Sequence, residues 1–179
     1  VDGSTSQMAD TPVNQQRFPQ PSSQKPGCGF PLLKFLPLFS LSSGAISAVV
    51  ISDYKSHDLR LLHQAWDLFD PGDVLLGDRA FGDYVTLAAL PPRGVDVIAR
   101  LPGARKVHFG KAVKRLGRDD ALFEWKKGAQ PSDLLSPEEW EALPGQITVR
   151  ILRFTAVIRG RRQRVVLVTT LLDPLLYPA

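Results

Sequence analysis

Val74-Leu75-Leu76-Gly77-Asp78-Arg79-Ala80-Phe81 is a short apolar run that ends abruptly in an aspartate, with an amphipathic segment following within four residues. The pattern predicts a buried strand with a carboxylate at its carboxyl end, the edge where open α/β sheets place ligands and metals. A lone carboxylate seldom does chemistry. The second to weigh is Asp2, in Val1-Asp2-Gly3-Ser4-Thr5.

The flanking sequence supports a sheet with helices around this strand. Upstream, Leu59, Leu62, Ala65, Trp66 and Phe69 recur at spacings of three and four, one face of a helix that Ser56 or Asp58 caps and Pro71-Gly72 ends. Trp66 on that stripe reads as a core residue, and His57 at the helix start as a surface residue. Downstream, a short helix is expected from about Asp83 to Leu90, where Pro91-Pro92 stops it, and Val95 to Leu101 is the next strand. Strand, helix and strand within about 30 residues have the spacing of a parallel crossover unit.

Further upstream, residues 3–31 are rich in Ser, Thr, Pro and Gln, and five prolines exclude a long helix, so an irregular loop is expected. Lys25-Pro26-Gly27-Cys28-Gly29 matches no phosphate-loop spacing and reads as a turn. Leu32 to Leu41 and Ala45 to Ile51, joined by Ser42-Ser43-Gly44, predict an antiparallel hairpin, with Pro37 pushing its strand toward a bulge or an edge. Apolar residues on both alternating faces predict layers above and below it.

Residues 102–165 form a β-rich basic insertion in this reading. Arg105, Lys106, His108, Lys111, Lys114, Arg115, Arg118, Lys126 and Lys127 stud its first part. Ser136-Pro137-Glu138-Glu139-Trp140 predicts a capped helical turn, with serine as cap, proline at the first position and glutamate three residues on. Ile147 to Ile151 alternates as a strand, Arg159-Gly160-Arg161-Arg162 makes a basic turn, and Val165 to Leu171 pairs back. The sum is a mixed sheet with helices on its faces, three antiparallel strands preceding two crossover strands. If the first strand, ending at Asp2, lies beside the fourth, ending at Asp78, their carboxylates share one cleft and repel unless a cation separates them. An oxygen-only site of this kind suits Mg²⁺ or Mn²⁺ rather than zinc.

Composition narrows the function. At 179 residues the chain has room for one domain, and 44% hydrophobic content fits a folded protein. The single cysteine, Cys28, excludes an internal disulfide and a cysteine-rich zinc site. No apolar run is long enough for a membrane span, and no signal-peptide pattern is present, so a cytoplasmic location is expected. The net charge of +4 hides an asymmetry: residues 1–90 carry 6 basic and 9 acidic groups, residues 91–179 carry 16 and 9. A basic half beside carboxylates suits a polyanion held next to a metal centre, and Lys106, Lys111, Lys114, Arg115, Arg161 and Arg162 are the candidates to meet its phosphates. Arg79 is placed on a phosphate, on the neighbouring carboxylate, or in solvent.

The residues also resemble a known family. Val1-Asp2-Gly3-Ser4-Thr5 with Met8-Ala9-Asp10-Thr11-Pro12, Leu75 to Phe81, Gly94 to Leu101, Leu135 to Trp140 and Leu167 to Asp173 are similar to the catalytic domain of bacterial insertion-sequence transposases of the DDE type. The resemblance covers the whole chain. It implies a ribonuclease H-like fold, two divalent ions held by three carboxylates, cleavage and strand transfer of double-stranded DNA at transposon ends and target, homodimerisation, and a nucleoid-associated, cytoplasmic protein. Asp2 matches the first carboxylate and Asp78 the second, and the family inserts β-structure where the basic block at residues 102–165 lies; Arg79 and Arg105 are taken with that block as DNA-binding candidates. The third carboxylate belongs to a helix expected after Leu171, so the 179 residues read as a partial domain, inactive alone. A metal-dependent nuclease, a non-catalytic DNA-binding remnant and a small-molecule phosphohydrolase are the rival functions.

Overall fold

The computed structural model describes residues 1–129 and 134–178, so residues 130–133 of the expected insertion and Ala179 lie outside the described residues. The chain divides into two compact units, Val1–Leu68 and Phe69–Ala179.

The first unit is a three-stranded antiparallel sheet with one main helix. Strands β1 (Ser4–Gln7), β2 (Leu32–Phe39) and β3 (Ile46–Asp53) lie in the order β1-β2-β3. Helix α2 (Asp58–Gln64) packs on β2 and β3, and a tight helical turn at Trp66–Leu68 extends it. Alternation decides the packed face: Leu36 and Leu38 on β2 are buried together with Leu61, Leu62, Ala65 and Trp66. Their counterparts on the opposite face of β3, Val49 and Ile51, stay about half exposed, so the expected two-sided cover is one-sided within this unit. Trp66 is a core residue, as expected, and His57 is exposed. His57 itself occupies the N-cap position of α2 without a capping side-chain bond, in place of Ser56 or Asp58.

Pro37 behaves as the sequence requires. It lies beyond the reach of β1, whose last rung on that side is Ser4 with Phe35, and the β2–β3 register shifts between Leu38 and Phe39. Two elements appear inside the expected loop. One is β1. The other is α1 (Pro12–Arg17), a helix of under two turns whose Thr11 side chain accepts from the Asn14 N–H, with Pro12 at the first position. The rest of the loop is tied by glutamine amides: Gln15 Nε2 donates to the Gly29 carbonyl, and Gln20 Nε2 to that of Lys25. Side-chain amides replace the missing backbone ladder here, so low periodicity does not mean an unpaired chain.

The second unit holds a six-stranded mixed sheet in the order β4-β5-β9-β8-β7-β6. Its strands are β4 (Val74–Gly77), β5 (Asp96–Arg100), β6 (Lys114–Arg115), β7 (Asp120–Lys126), β8 (Gln146–Ile158) and β9 (Arg161–Thr169). β4 and β5 are parallel, as the crossover spacing predicts, and every other pairing is antiparallel. The crossover carries α3 (Tyr84–Ala89), all six of whose residues are buried. A tight turn at Ala80–Gly82 leads into it, and a Cβ at Gly82 would stand 2.9 Å from the Arg100 carbonyl, so only glycine lets this turn close onto β5. One sheet face, carrying Leu75, Val97, Ala99, Val168, Ile151, Val149, Ala121, Phe123 and Trp125, forms the core. The short helix α4 (Pro137–Ala142) has the expected capping box between Ser136 and Glu139 and buries Trp140.

Strands β6, β7 and β8, from the residues 102–165 expected as an insertion, continue through β9 the sheet that β4 and β5 begin. One correction concerns Asp2. The sequence pattern has it closing a strand adjacent to that of Asp78, but it precedes β1, and β1 pairs with β2 while β4 pairs with β5. The residues able to extend here, Ser4 to Gln7, follow the aspartate instead of leading to it.

Candidate nucleic-acid interface

The geometry of β4 places Asp78 directly after the last strand residue, Gly77, at the carboxyl end of the parallel pair. The strand is short because Asp78 turns the chain: its Oδ1 accepts the Ala80 N–H at 2.8 Å, an Asx turn that starts the Ala80–Gly82 helical turn. The residue is exposed, and Oδ2 has no hydrogen-bond donor among the described residues. One carboxylate oxygen is thus spent on structure while the other is offered to solvent.

Beside it lies a basic cleft of about 150 Å³ lined by Arg79, Arg100, Arg105 and Arg164, with Leu101, Pro102, Gly103 and Val166 as its floor and wall. Arg79 follows Asp78, Arg100 closes β5, Arg105 stands on the loop after β5, and Arg164 comes from β9. Arg79 Nη1 lies 4.0 Å from where a Gly103 Cβ would be, so the glycine leaves the guanidinium room. Arg79, Arg100 and Arg164 form no ion pair among the described residues. Arg105 stacks on Trp125, 3.8 Å from the ring centroid, which holds it in place without neutralising it. Burial pushes the Arg105 guanidinium below its ordinary value, against the pull of Asp83 and Tyr84. Unpaired arginines gathered in one hollow carry a standing electrostatic cost that a bound anion relieves.

Asp83, whose charge acts on Arg105, shows how the carboxylates divide their tasks. Its Oδ1 accepts the N–H groups of Val85 and Thr86, and its Oδ2 accepts the Thr86 hydroxyl, so it caps α3. Burial pushes its carboxyl above the usual range, against the hydrogen bonds from Thr86 and Val85. A raised folded-state value means its contribution to stability is full below the ordinary carboxylate range and is lost as pH rises through the folded value. Asp83→Asn, which keeps the accepting oxygen, is therefore expected to match or exceed the parent at pH 7, while Asp83→Ala loses about 0.5–2 kcal/mol with the cap. Thermal melts at pH 4 and pH 7 check this, and equal losses for both variants at pH 7 would count against it.

The sequence candidates do not all converge. Arg79 and Arg105 meet in the cleft, joined by Arg100 and Arg164, which sequence reasoning missed. The missed signals are visible in retrospect: Arg100 ends the strand parallel to that of Asp78, and Arg164 sits two residues from Arg162, on the same face of a strand. Lys106, Lys111 and Lys114 are exposed. Arg115 instead donates to the carbonyls of Phe109, Gly117 and Arg118, so its guanidinium holds the turn before β7 together. Arg161 and Arg162 begin β9 and are exposed. Asp2 is exposed and belongs to the first unit, where its neighbour Gly3 lies against the Asp58 carboxylate, itself ion-paired with Lys34 Nζ at 2.7 Å.

Comparison with known families decides what kind of protein carries this site, since the transposase DDE domain model matches residues 1–171. The chain belongs to the transposase DDE domain family. No match is found among curated proteins or among solved structures. Membership implies DNA as the partner, and the family normally uses a divalent metal. The mixed six-stranded sheet with few helices is consistent with a ribonuclease H-like transposase domain.

Within this transposase domain, no group of three or more His, Cys, Asp or Glu is close enough to hold a metal ion among the described residues. The donor chemistry nevertheless fits a hard cation at one point, because Asp78 offers an exposed oxygen and Mg²⁺ accepts one or two carboxylates with water and phosphate completing its shell. No helix among the described residues is long and apolar enough to cross a membrane.

Proposed function

We propose that this transposase domain grips duplex DNA with its arginine cleft and presents Asp78 to a phosphodiester of the bound strand as a ligand of a divalent ion, Mg²⁺ or Mn²⁺. The observation that carries the reading is that Asp78, at the carboxyl end of β4, is followed at once by Arg79, which lines the cleft together with Arg100, Arg105 and Arg164. Arginines that bind phosphate and a carboxylate that repels it are incompatible neighbours unless a cation accompanies the phosphate. The chemistry a divalent ion supplies in such sites is activation of water or a 3′-hydroxyl and stabilisation of the leaving oxygen. The residues of this chain do the remainder: Arg79 and Arg164 neutralise and orient the backbone, Arg105 is held ready by Trp125, and the Asx turn fixes the direction of the Asp78 carboxylate.

The experiment is a duplex titration with and without Mg²⁺. Without the ion, Asp78→Asn is expected to bind a duplex more tightly than the parent, because a like charge has left the phosphate site. With the ion, the parent gains affinity and the variant does not. An Mg²⁺ response that survives Asp78→Asn unchanged would overturn the assignment. On a denaturing gel the 179-residue chain is expected to leave an end-bearing duplex uncut, since no group of three or more His, Cys, Asp or Glu among the described residues is close enough to hold a metal ion, and the two-metal reaction needs both ions held in place. Mg²⁺-dependent cleavage that is lost in Asp78→Ala would show the chain to be competent.

A further inference from the structure

β8 and β9 pair over nine rungs, from Arg150 with Thr169 to Ile158 with Arg161. Their neighbours stop early. The last β7 rung on β8 is Asp120 with Leu152, and the last β5 rung on β9 is Arg100 with Leu167. Single bonds from Arg153 N–H to the Asp119 carbonyl and from Leu101 N–H to the Val166 carbonyl extend each by one step. Beyond them, the five rungs from Phe154 with Val165 to Ile158 with Arg161 form a two-stranded ribbon bonded to no third strand among the described residues, roughly 17 Å long at the usual rise. Arg159 and Gly160, both at positive φ, 50° and 73°, close it in the turn that suits a twisted two-residue hairpin.

Such a ribbon is marginal in water unless it is rooted or bound. Its root is the sheet core at Ile151 and Val168. Its charged residues are all basic: no Asp or Glu occurs between Glu141 and Asp173. Arg150 and Arg153 at the root are paired with Asp120 and Asp119, whereas Arg159, Arg161, Arg162 and Arg164 have no carboxylate partner among the described residues. Charges on an open ribbon protect its edges from pairing with other chains. That purpose does not call for a single sign, nor for Val157 and Phe154 left 69% and 46% exposed. Thr155, Ala156, Val157 and Gly160 keep the distal half slim.

Cross-strand partners share a face, which sorts these groups. Arg164 with Thr155 and Arg162 with Val157 lie on one face, and Arg161 with Ile158 and Gln163 with Ala156 on the other. The first face runs down to Arg164 in the cleft, so cations line the path from the ribbon tip to the strand end of Asp78. We propose that this ribbon lies in the major groove of the duplex whose backbone the cleft grips. The proposal rests on the DNA reading above and adds where the duplex is held a second time. A two-stranded ribbon fits a groove about 12 Å wide and not one of about 6 Å, and arginine reads guanine O6 and N7 there while threonine and valine methyls meet the thymine methyl.

The test uses the 179-residue chain, a mixed-sequence DNA duplex, and the variant carrying Arg159→Gln, Arg161→Gln and Arg162→Gln. The slope of log affinity against log salt is expected to fall by about 0.9 for each phosphate that the variant no longer neutralises. Guanine N7 methylation of the duplex weakens the parent and leaves the variant unaffected, a minor-groove ligand does not compete, and an RNA duplex of the same sequence, whose major groove is deep and narrow, binds more weakly. A matching set of Arg→Lys changes keeps the slope. An unchanged slope in the Gln variant, competition by the minor-groove ligand, or equal binding of the RNA duplex overturns the ribbon assignment. If Arg79→Gln with Arg164→Gln weakens binding and the ribbon variant does not, the ribbon assignment falls and the cleft stands. A parent chain that binds no duplex defeats both.

Discussion

Asp120→Ala is expected to destabilise the second unit by about 3–5 kcal/mol, the cost of leaving one member of a buried ion pair alone. Its partner Arg150 is 1% exposed, the largest fully buried side chain among the described residues. Arg150 Nε donates to Asp120 Oδ1 at 2.8 Å and Nη2 to Oδ2 at 2.5 Å, the forked geometry that carboxylate and guanidinium match best. Nη1 donates to the Tyr177 carbonyl at 2.6 Å, tying the segment after β9 to the middle of β8. The Asp120 carboxylate raises the Arg150 guanidinium above its ordinary value, outweighing burial, so the arginine cannot escape by losing its proton. Without Asp120 the guanidinium stays charged, buried and short of two acceptors. For a chain of this size about 3–5 kcal/mol corresponds to a fall in Tm of roughly 6–20 °C. Urea or thermal melts at pH 7 read it, and a loss under about 1 kcal/mol would show that water or another acceptor replaces the carboxylate.

The neighbouring pair gives the contrast. Arg153 and Asp119 also bond, yet their side chains are 29% and 35% exposed, and a partly solvated pair contributes about 0–1 kcal/mol. Two arginine–aspartate pairs, close together where β7 meets β8, thus differ several-fold in expected effect, and burial is the reason.

Arg79→Gln with Arg164→Gln is expected to weaken duplex binding about 60-fold at 0.1 M salt and to reduce the salt slope by about 1.8, if each arginine neutralises one phosphate. Both line the cleft, both are exposed, and neither has a carboxylate partner among the described residues, so their removal costs little in folding. Arg105→Gln is a poorer probe of binding, because the guanidinium over Trp125 also contributes packing. Titrations from 50 to 200 mM salt measure the effect. A double variant with the slope of the parent would place the phosphate-binding groups elsewhere.

Much of the fold was legible because it is written in local patterns. The crossover from β4 through α3 to β5, the Ser136 capping box and the buried Trp66 follow from periodicity, cap chemistry and proline stops, which act over a few residues. Asp78 was legible for the same reason, as a carboxylate closing an apolar run. What lay beyond the sequence was the meeting of distant groups. Arg164 reaches the cleft only because β9 inserts between β5 and β8, and Arg150 finds Asp120, 30 residues away, only because β7 and β8 pair in one register. Arg115 and Arg79 look alike in the sequence; tertiary structure gave one three carbonyls to hold and left the other to a cleft. Local propensity sets which segments extend or coil, but strand order and register decide which charges are paired, and pairing decides which are left for a ligand.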